Sequence, residues 1–170
     1  MISRRLAALL TLTLLAVSLV GLTDVPGDPA PELTVESEDD DTYYVSAYTV
    51  ADADAAGYLN FEVTTADGDR RLVTLADLVW PRGHQNVRLV DDVGHQEIVV
   101  EPDETVTTTL ENWEHGEMTI YVVERGADRT HESTRTIDCG NRGQEHRITL
   151  EDGGGGGGHT CASDFGWVLG

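Results

Sequence analysis

The chain has 170 residues, of which 31 are Asp or Glu, eleven are Arg and none is Lys, for a formal charge of −20. That length accommodates one domain. The charge excludes a nucleic-acid-binding surface, since displacing counterions from phosphates needs clustered basic side chains and the chain beyond its first residues offers only the adjacent pair Arg70-Arg71; anionic lipid surfaces are disfavoured for the same reason.

Taken in chain order, Met1 to Arg5 is positively charged and Leu6 to Leu22 is an uncharged apolar run. This is the order of an export leader. As a helix the run would measure about 25 Å, which also reaches the lower limit for crossing a bilayer core, so signal peptide and membrane anchor are both open. Ser3-Arg4-Arg5-Leu6 resembles the start of a twin-arginine signal, with Ala7-Ala8 standing where such signals carry bulkier apolar residues. Two arginines ahead of the run place the N-terminus in the cytoplasm and everything after Leu22 outside the cell, with membrane contact only through residues 1–22. Thr23 to Glu32, rich in Pro and Asp, is expected to be a spacer.

From residue 33 the pattern is alternation over five to eight residues, broken by turn residues, which predicts strands. Leu33-Thr34-Val35 opens the series and Tyr43 to Val50 follows the acidic turn at Asp39-Asp40-Asp41. Tyr58 to Thr65 puts Leu59, Phe61 and Val63 on one face and Asn60, Glu62 and Thr64 on the other. Asp67-Gly68 is a hairpin turn, because Asp-Gly tolerates the positive φ of a type I′ turn. Arg71 to Leu75 is the return strand of that hairpin; Leu72, Leu75, Ala76 and Val79 also fit the spacing of an amphipathic helix, and a short strand, or a strand plus a helical turn ending at Trp80-Pro81, is the favoured reading. Val87 to Val90 and Gln96 to Val100 read as a second hairpin around Asp91 to Gly94, and Glu104 to Leu110 as a further strand. Met118 to Val123 is apolar on both faces and is expected at the centre of a sheet. Thr134 to Cys139, His146 to Leu150 and Thr160 to Ala162 complete the pattern.

Two resemblances follow from these residues. The absence of lysine, the abundance of Asp and the small or β-branched apolar residues resemble proteins of salt-loving archaea, in which carboxylates hold a hydrated surface while concentrated salt screens their repulsion. Eight to ten short strands over residues 33–162 resemble the Ig-like sandwiches of exported haloarchaeal proteins. Together they imply an all-β fold: a single Ig-like antiparallel β-sandwich over residues 33–170, with a Gly-rich loop at 153–158, preceded by an N-terminal hydrophobic helix. A five-stranded barrel or a transthyretin-like sandwich would carry nearly the same pattern.

Cys139 and Cys161 are the only cysteines, and outside the cell an even count reads as a disulfide. Closing that loop is worth about 3.4 kcal/mol in the chain-entropy description. Such a bridge would hold the last strand against the freedom of six consecutive glycines, Gly153 to Gly158. A zinc or copper site is the competing reading, because Cys139, His146, His159 and Cys161 offer two thiolates and two imidazoles. Asp52, Asp54 and Gly57 resemble the opening of an EF-hand loop, yet Ala56 and Val63 replace two of its ligands, so an acidic turn is the simpler reading.

No serine elbow, phosphate loop or His-rich pairing is present, so no catalytic residue and no cofactor is assigned. Tyr43, Tyr44, Tyr48, Trp80, Trp113 and Trp167 are expected mainly in core or strand-edge packing, with a sugar-stacking platform as the alternative. The function that follows is an exported, non-enzymatic binding or structural module on a halophile's cell surface or in its medium, meeting an extracellular partner through its loops. The alternative is an exported metal-ion-binding protein using the acidic turns or the Cys/His cluster.

Overall fold

A computed structural model describes residues 30–139, 143–152 and 155–161. The leader at 1–22, most of the spacer, and the segment from Phe165 to Leu169 lie outside the described residues. Among the described residues no helix is long and apolar enough to cross a membrane.

Among the described residues, eleven strands and two short helices follow in the order β1 (Glu32–Ser37), β2 (Tyr43–Val50), α1 (Ala53–Gly57), β3 (Asn60–Thr64), β4 (Arg70–Thr74), α2 (Leu75–Leu78), β5 (Gln85–Leu89), β6 (Gly94–Val100), β7 (Thr105–Thr109), β8 (Met118–Arg125), β9 (Thr130–Ile137), β10 (Gln144–Leu150) and β11 (Gly157–Cys161). They form a four-stranded sheet, β11-β10-β1-β7, and a seven-stranded sheet, β4-β3-β5-β9-β8-β2-β6. The fold is therefore all-β and sandwich-like, as the alternation predicts.

Its core has two halves, separated by β2 and β8. Successive side chains of a strand point to opposite faces, so a strand apolar at every position must be covered twice. Tyr43, Val45 and Ala47 of β2, with Tyr121 and Val123 of β8, pack against Leu33, Val35, Ile148 and Leu150 of the four-stranded sheet. The intervening residues, Tyr48 and Val50 of β2 with Met118, Ile120 and Val122 of β8, pack against Phe61 and Val63 of β3, Val73 of β4, Val87 of β5, Ala56 of α1 and Leu78 of α2. Each fully buried Val, Leu, Ile or Phe contributes about 1.5–3 kcal/mol, so both halves are needed to hold β8. The expected central strand is this one, lying between β9 and β2.

Four expectations are corrected. The sheet is not wholly antiparallel, because β1 pairs β10 in parallel while pairing β7 antiparallel, so Leu33 and Val35 are flanked on both sides. Val87–Val90 and Gln96–Val100 are not a hairpin. β5 pairs β3 and β9, whereas β6 lies on the far edge beside β2; Asp91 accepts from the Asn60 N–H at 2.7 Å, and so extends the bond between β5 and β3 instead of turning the chain back. The acidic stretch after Val50 is α1 and not an open turn, with Asp52 as its N-cap. The glycine run is not all loop: Gly157 and Gly158 belong to β11. A Cβ at Gly155 would overlap the Thr149 carbonyl, and one at Gly157 would lie 2.9 Å from the Arg147 carbonyl and overlap the Arg135 guanidinium, so only glycine lets this edge approach β10.

Candidate functional site

The seven-stranded sheet is only thinly paired between β5 and β9. Only Gln85 and Thr130 pair there in register, beside hydrogen bonds from the His131 N–H to the His84 carbonyl (2.8 Å) and from the Asn86 N–H to the Arg129 carbonyl (3.1 Å). At the same place the β8–β9 register shifts between Val123 and Glu124. Bulges re-aim side chains, and here the buried Glu124 carboxylate reaches across to accept from the Val87 N–H at 2.8 Å. A side chain thus takes a bond that the interrupted ladder leaves open. Burial pushes Glu124 up to about 7, although the Val87 N–H and the Arg129 guanidinium both favour its charged form.

Beside this seam is a cleft of about 580 Å³, walled by Ser46 and Tyr48 of β2, His95 and Glu97 of β6, Glu62 and Thr64 of β3, Arg88 of β5, Arg70 of β4, and Asn86 and Arg129 at the seam itself. Three arginines converge here in a molecule of charge −20. Arg129 is held fast: its guanidinium donates to Glu97 at 2.8 Å, stands 3.6 Å from Glu124 and lies 4.0 Å above the Tyr44 ring. Arg70 and Arg88 are different. They flank Glu62 at 3.9 and 4.0 Å, beyond hydrogen-bond distance, and both are largely exposed. Asn86 and Arg129 have φ of 52° and 47°, the left-handed region that costs a non-glycine residue roughly 1–2 kcal/mol. Strained residues that the surrounding fold holds in place gather at binding sites. A second hollow, lined by Arg70, Arg71, Arg82 and His84 with Thr65, Ala66, Asp67 and Asp69, adjoins it through the shared Arg70.

Sites expected from the residues alone lie elsewhere. Asp52 spends its carboxylate on the Ala55 N–H at 2.8 Å, and Asp54 is exposed in the first turn of α1, so the two do not form a calcium loop. Cys139 and Cys161 are joined by a disulfide. His159 lies beside them, with one ligand atom from each of the three residues within 4.8 Å of the others. His146 is not in that group. It is buried, its Nδ1 pairs with the Tyr121 hydroxyl at 2.6 Å and its Nε2 with Gln144 Oε1 at 3.1 Å, and burial pushes it down to about 4. His95, His131, His146 and His159 are strand residues, and His84, His131 and His146 are buried. Of the aromatic residues, Tyr43, Tyr48 and Trp113 are core, with the Tyr48 ring stacked on His95 at 4.8 Å, whereas Trp80 is exposed.

The cleft residues Glu62, Arg70, Asn86, Arg88 and Arg129, and Glu124 at the seam beside them, carry no sequence motif. Two signals pointed there. Four of the eleven arginines fall between positions 70 and 88, and Glu124 is an acid at the end of an apolar run that is otherwise buried on both faces.

The T6SS lipoprotein TssJ1 from Pseudomonas aeruginosa is similar in structure at a TM-score of 0.42 and 16% identity, covering 79% of this chain and 98% of its own. A chain described as a trapped toxin is similar at a TM-score of 0.34 and 8% identity, covering 77% of this chain and 23% of its own. No curated protein matches the sequence. A family model does, and it spans residues 1–170: with its two-sheet body and its lysine-free, acidic composition, the chain belongs to the halobacterial Ig domain proteins.

Proposed function

We propose that the protein is an exported, non-enzymatic binding module of a halophile's cell surface, tethered by residues 1–22 or released from them, which holds its ligand in the cleft between β2–β6 and β3–β5. The observation that carries this reading is the convergence of Arg70, Arg88 and Arg129, with the strained pair Asn86 and Arg129, on one concavity of a strongly acidic molecule. Concave sites with a few convergent polar groups are where small ligands bind. The export leg rests on the charge order of the leader. Protease added to intact cells tests it: the protein is expected to be degraded while a cytoplasmic marker survives, and protection equal to the marker's would overturn the reading.

A second reading has one observation in its favour. Cys139, His159 and Cys161 place their ligand atoms within 4.8 Å of one another, a donor set suited to Zn²⁺ once the two sulfurs are separate thiolates. Metal analysis of protein purified from its own cells decides it, since stoichiometric zinc requires the open form.

A further inference from the structure

Arg70 and Arg88 make only long ion pairs, as does Arg82 with Asp77 at 3.9 Å in the adjoining hollow, but only Arg70 and Arg88 converge on one carboxylate in the cleft. Arg125 donates to Asp41 at 2.7 Å and Asp152 at 2.8 Å, and Arg129 has the three partners given above. Arg70 and Arg88 share one carboxylate, Glu62, and neither reaches it: the separations of 3.9 and 4.0 Å leave their N–H groups unspent. Register explains the arrangement. Glu62 is the direct cross-strand neighbour of Arg88 on β5, and Arg70 faces Thr64, two residues further along β3. Glu62 therefore sits between two guanidiniums as a neutralising charge without forming the two-point bond that a planar guanidinium makes with a carboxylate.

We infer that Arg70 and Arg88 form a clamp for a carboxylate-bearing small ligand, and that Glu62 is a built-in carboxylate which such a ligand replaces. The inference rests on the cleft being the binding site and adds the ligand's chemistry. A planar oxyanion is the choice because the group standing between the two arginines, unbonded to either, is itself a carboxylate, and a ligand carboxylate would fit the space it occupies. Fixed Arg129 and the Thr64 hydroxyl lie on the same cleft wall for the remainder of the ligand. At molar salt long-range attraction is screened, so selectivity must come from direct contact, which suits donors that have no other hydrogen bond to break.

The test is a titration of the isotopically labelled full-length protein in molar KCl, following the Arg Nε–H and the backbone amide resonances, with glutarate, dimethyl glutarate and sulfate as probes. Glutarate is expected to shift Arg70 and Arg88 saturably, and the neutral diester is not. Arg70→Gln and Arg88→Gln should each weaken glutarate binding about tenfold or more, as loss of a charge-assisted bond does. Glu62→Gln should tighten it several-fold, an effect that a merely structural Glu62 would not produce. Both arginines are exposed and their ion pairs are long, so the variants should melt like the parent. Equal binding of the diester, equal binding of sulfate, or weaker binding by Glu62→Gln would overturn the carboxylate clamp while leaving the cleft as a site. If no probe shifts Arg70, Arg88, Asn86 or Thr64, the clamp is refuted and the cleft loses its support with it.

Discussion

Glu124 and His146 are both buried, and their effects on stability run in opposite directions with pH. Glu124 is pushed up to about 7 from an ordinary value of 4.5, chiefly by burial, so the fold prefers its protonated form. Its contribution is complete below about pH 4.5 and is lost as pH rises through 7. His131 and His146 are both pushed down to about 4 by burial, so their contribution is complete above about pH 6.5 and is lost as pH falls toward 4. Glu124→Gln removes the first effect alone. Denaturant unfolding measured from about pH 5 to 7 should then show stability rising more steeply with pH than in the parent, by up to one proton's worth of slope. An unchanged slope would mean that Glu124 is ionised in the folded protein. This site was only half legible: an acid closing an apolar run marks a buried carboxylate, but its partner Val87 lies 37 residues away on a strand that does not pair with β8.

Elements that depend on neighbours in sequence were readable, and those that depend on distant partners were not. Leu59, Phe61 and Val63 alternate and are all buried, and the Asp67-Gly68 turn joins β3 to β4 in the expected pairing, although only Gly68, at φ 85°, takes a positive φ, so the turn is not the expected type I′. The strand followed by a helical turn after Arg70 also follows from local residues, since the Thr74 N–H and hydroxyl both donate to Asp77, at 3.1 and 3.0 Å. By contrast, nothing local distinguishes two strands joined by four residues as a hairpin from two strands sent to different parts of a sheet. β11 likewise owes its place to β10 and to the Cys139–Cys161 bridge. Gly157→Val should detach it, because the new side chain meets the Arg147 carbonyl and the Arg135 guanidinium, whereas Gly158→Val has open space. Thiol trapping under mild reductant is expected to open the disulfide at least about tenfold faster in Gly157→Val than in Gly158→Val, by the relation between local opening and exposure. Equal rates would show that the bridge alone holds the strand.

Across the whole molecule, 31 carboxylates face eleven arginines, and several of those arginines are drawn into networks, such as Arg125 with Asp39, Asp41 and Asp152. The remaining repulsion is long-range and weakens as the screening length falls to about 3 Å in molar salt. The midpoint of thermal unfolding is therefore expected to rise between roughly 0.1 M and molar KCl. A scan in which it stays level or falls would refute the view that this surface is adapted to brine. Composition pointed to such a surface and the alternation to the all-β class, but neither could show that arginine is concentrated beside one concavity, because that depends on how β3, β4 and β5 pair.

The parallel pairing of β1 with β10 sets an order on assembly. β1 is early in the chain, yet the strands that flank it, Thr105–Thr109 and Gln144–Leu150, are synthesised long afterwards. Until the later one arrives, Leu33 and Val35 have an unsealed flank, and closing so wide a loop is slow. A chain cut short before position 144 would keep one edge of its earliest described strand unpaired, and an unpaired edge is a template for pairing with other chains.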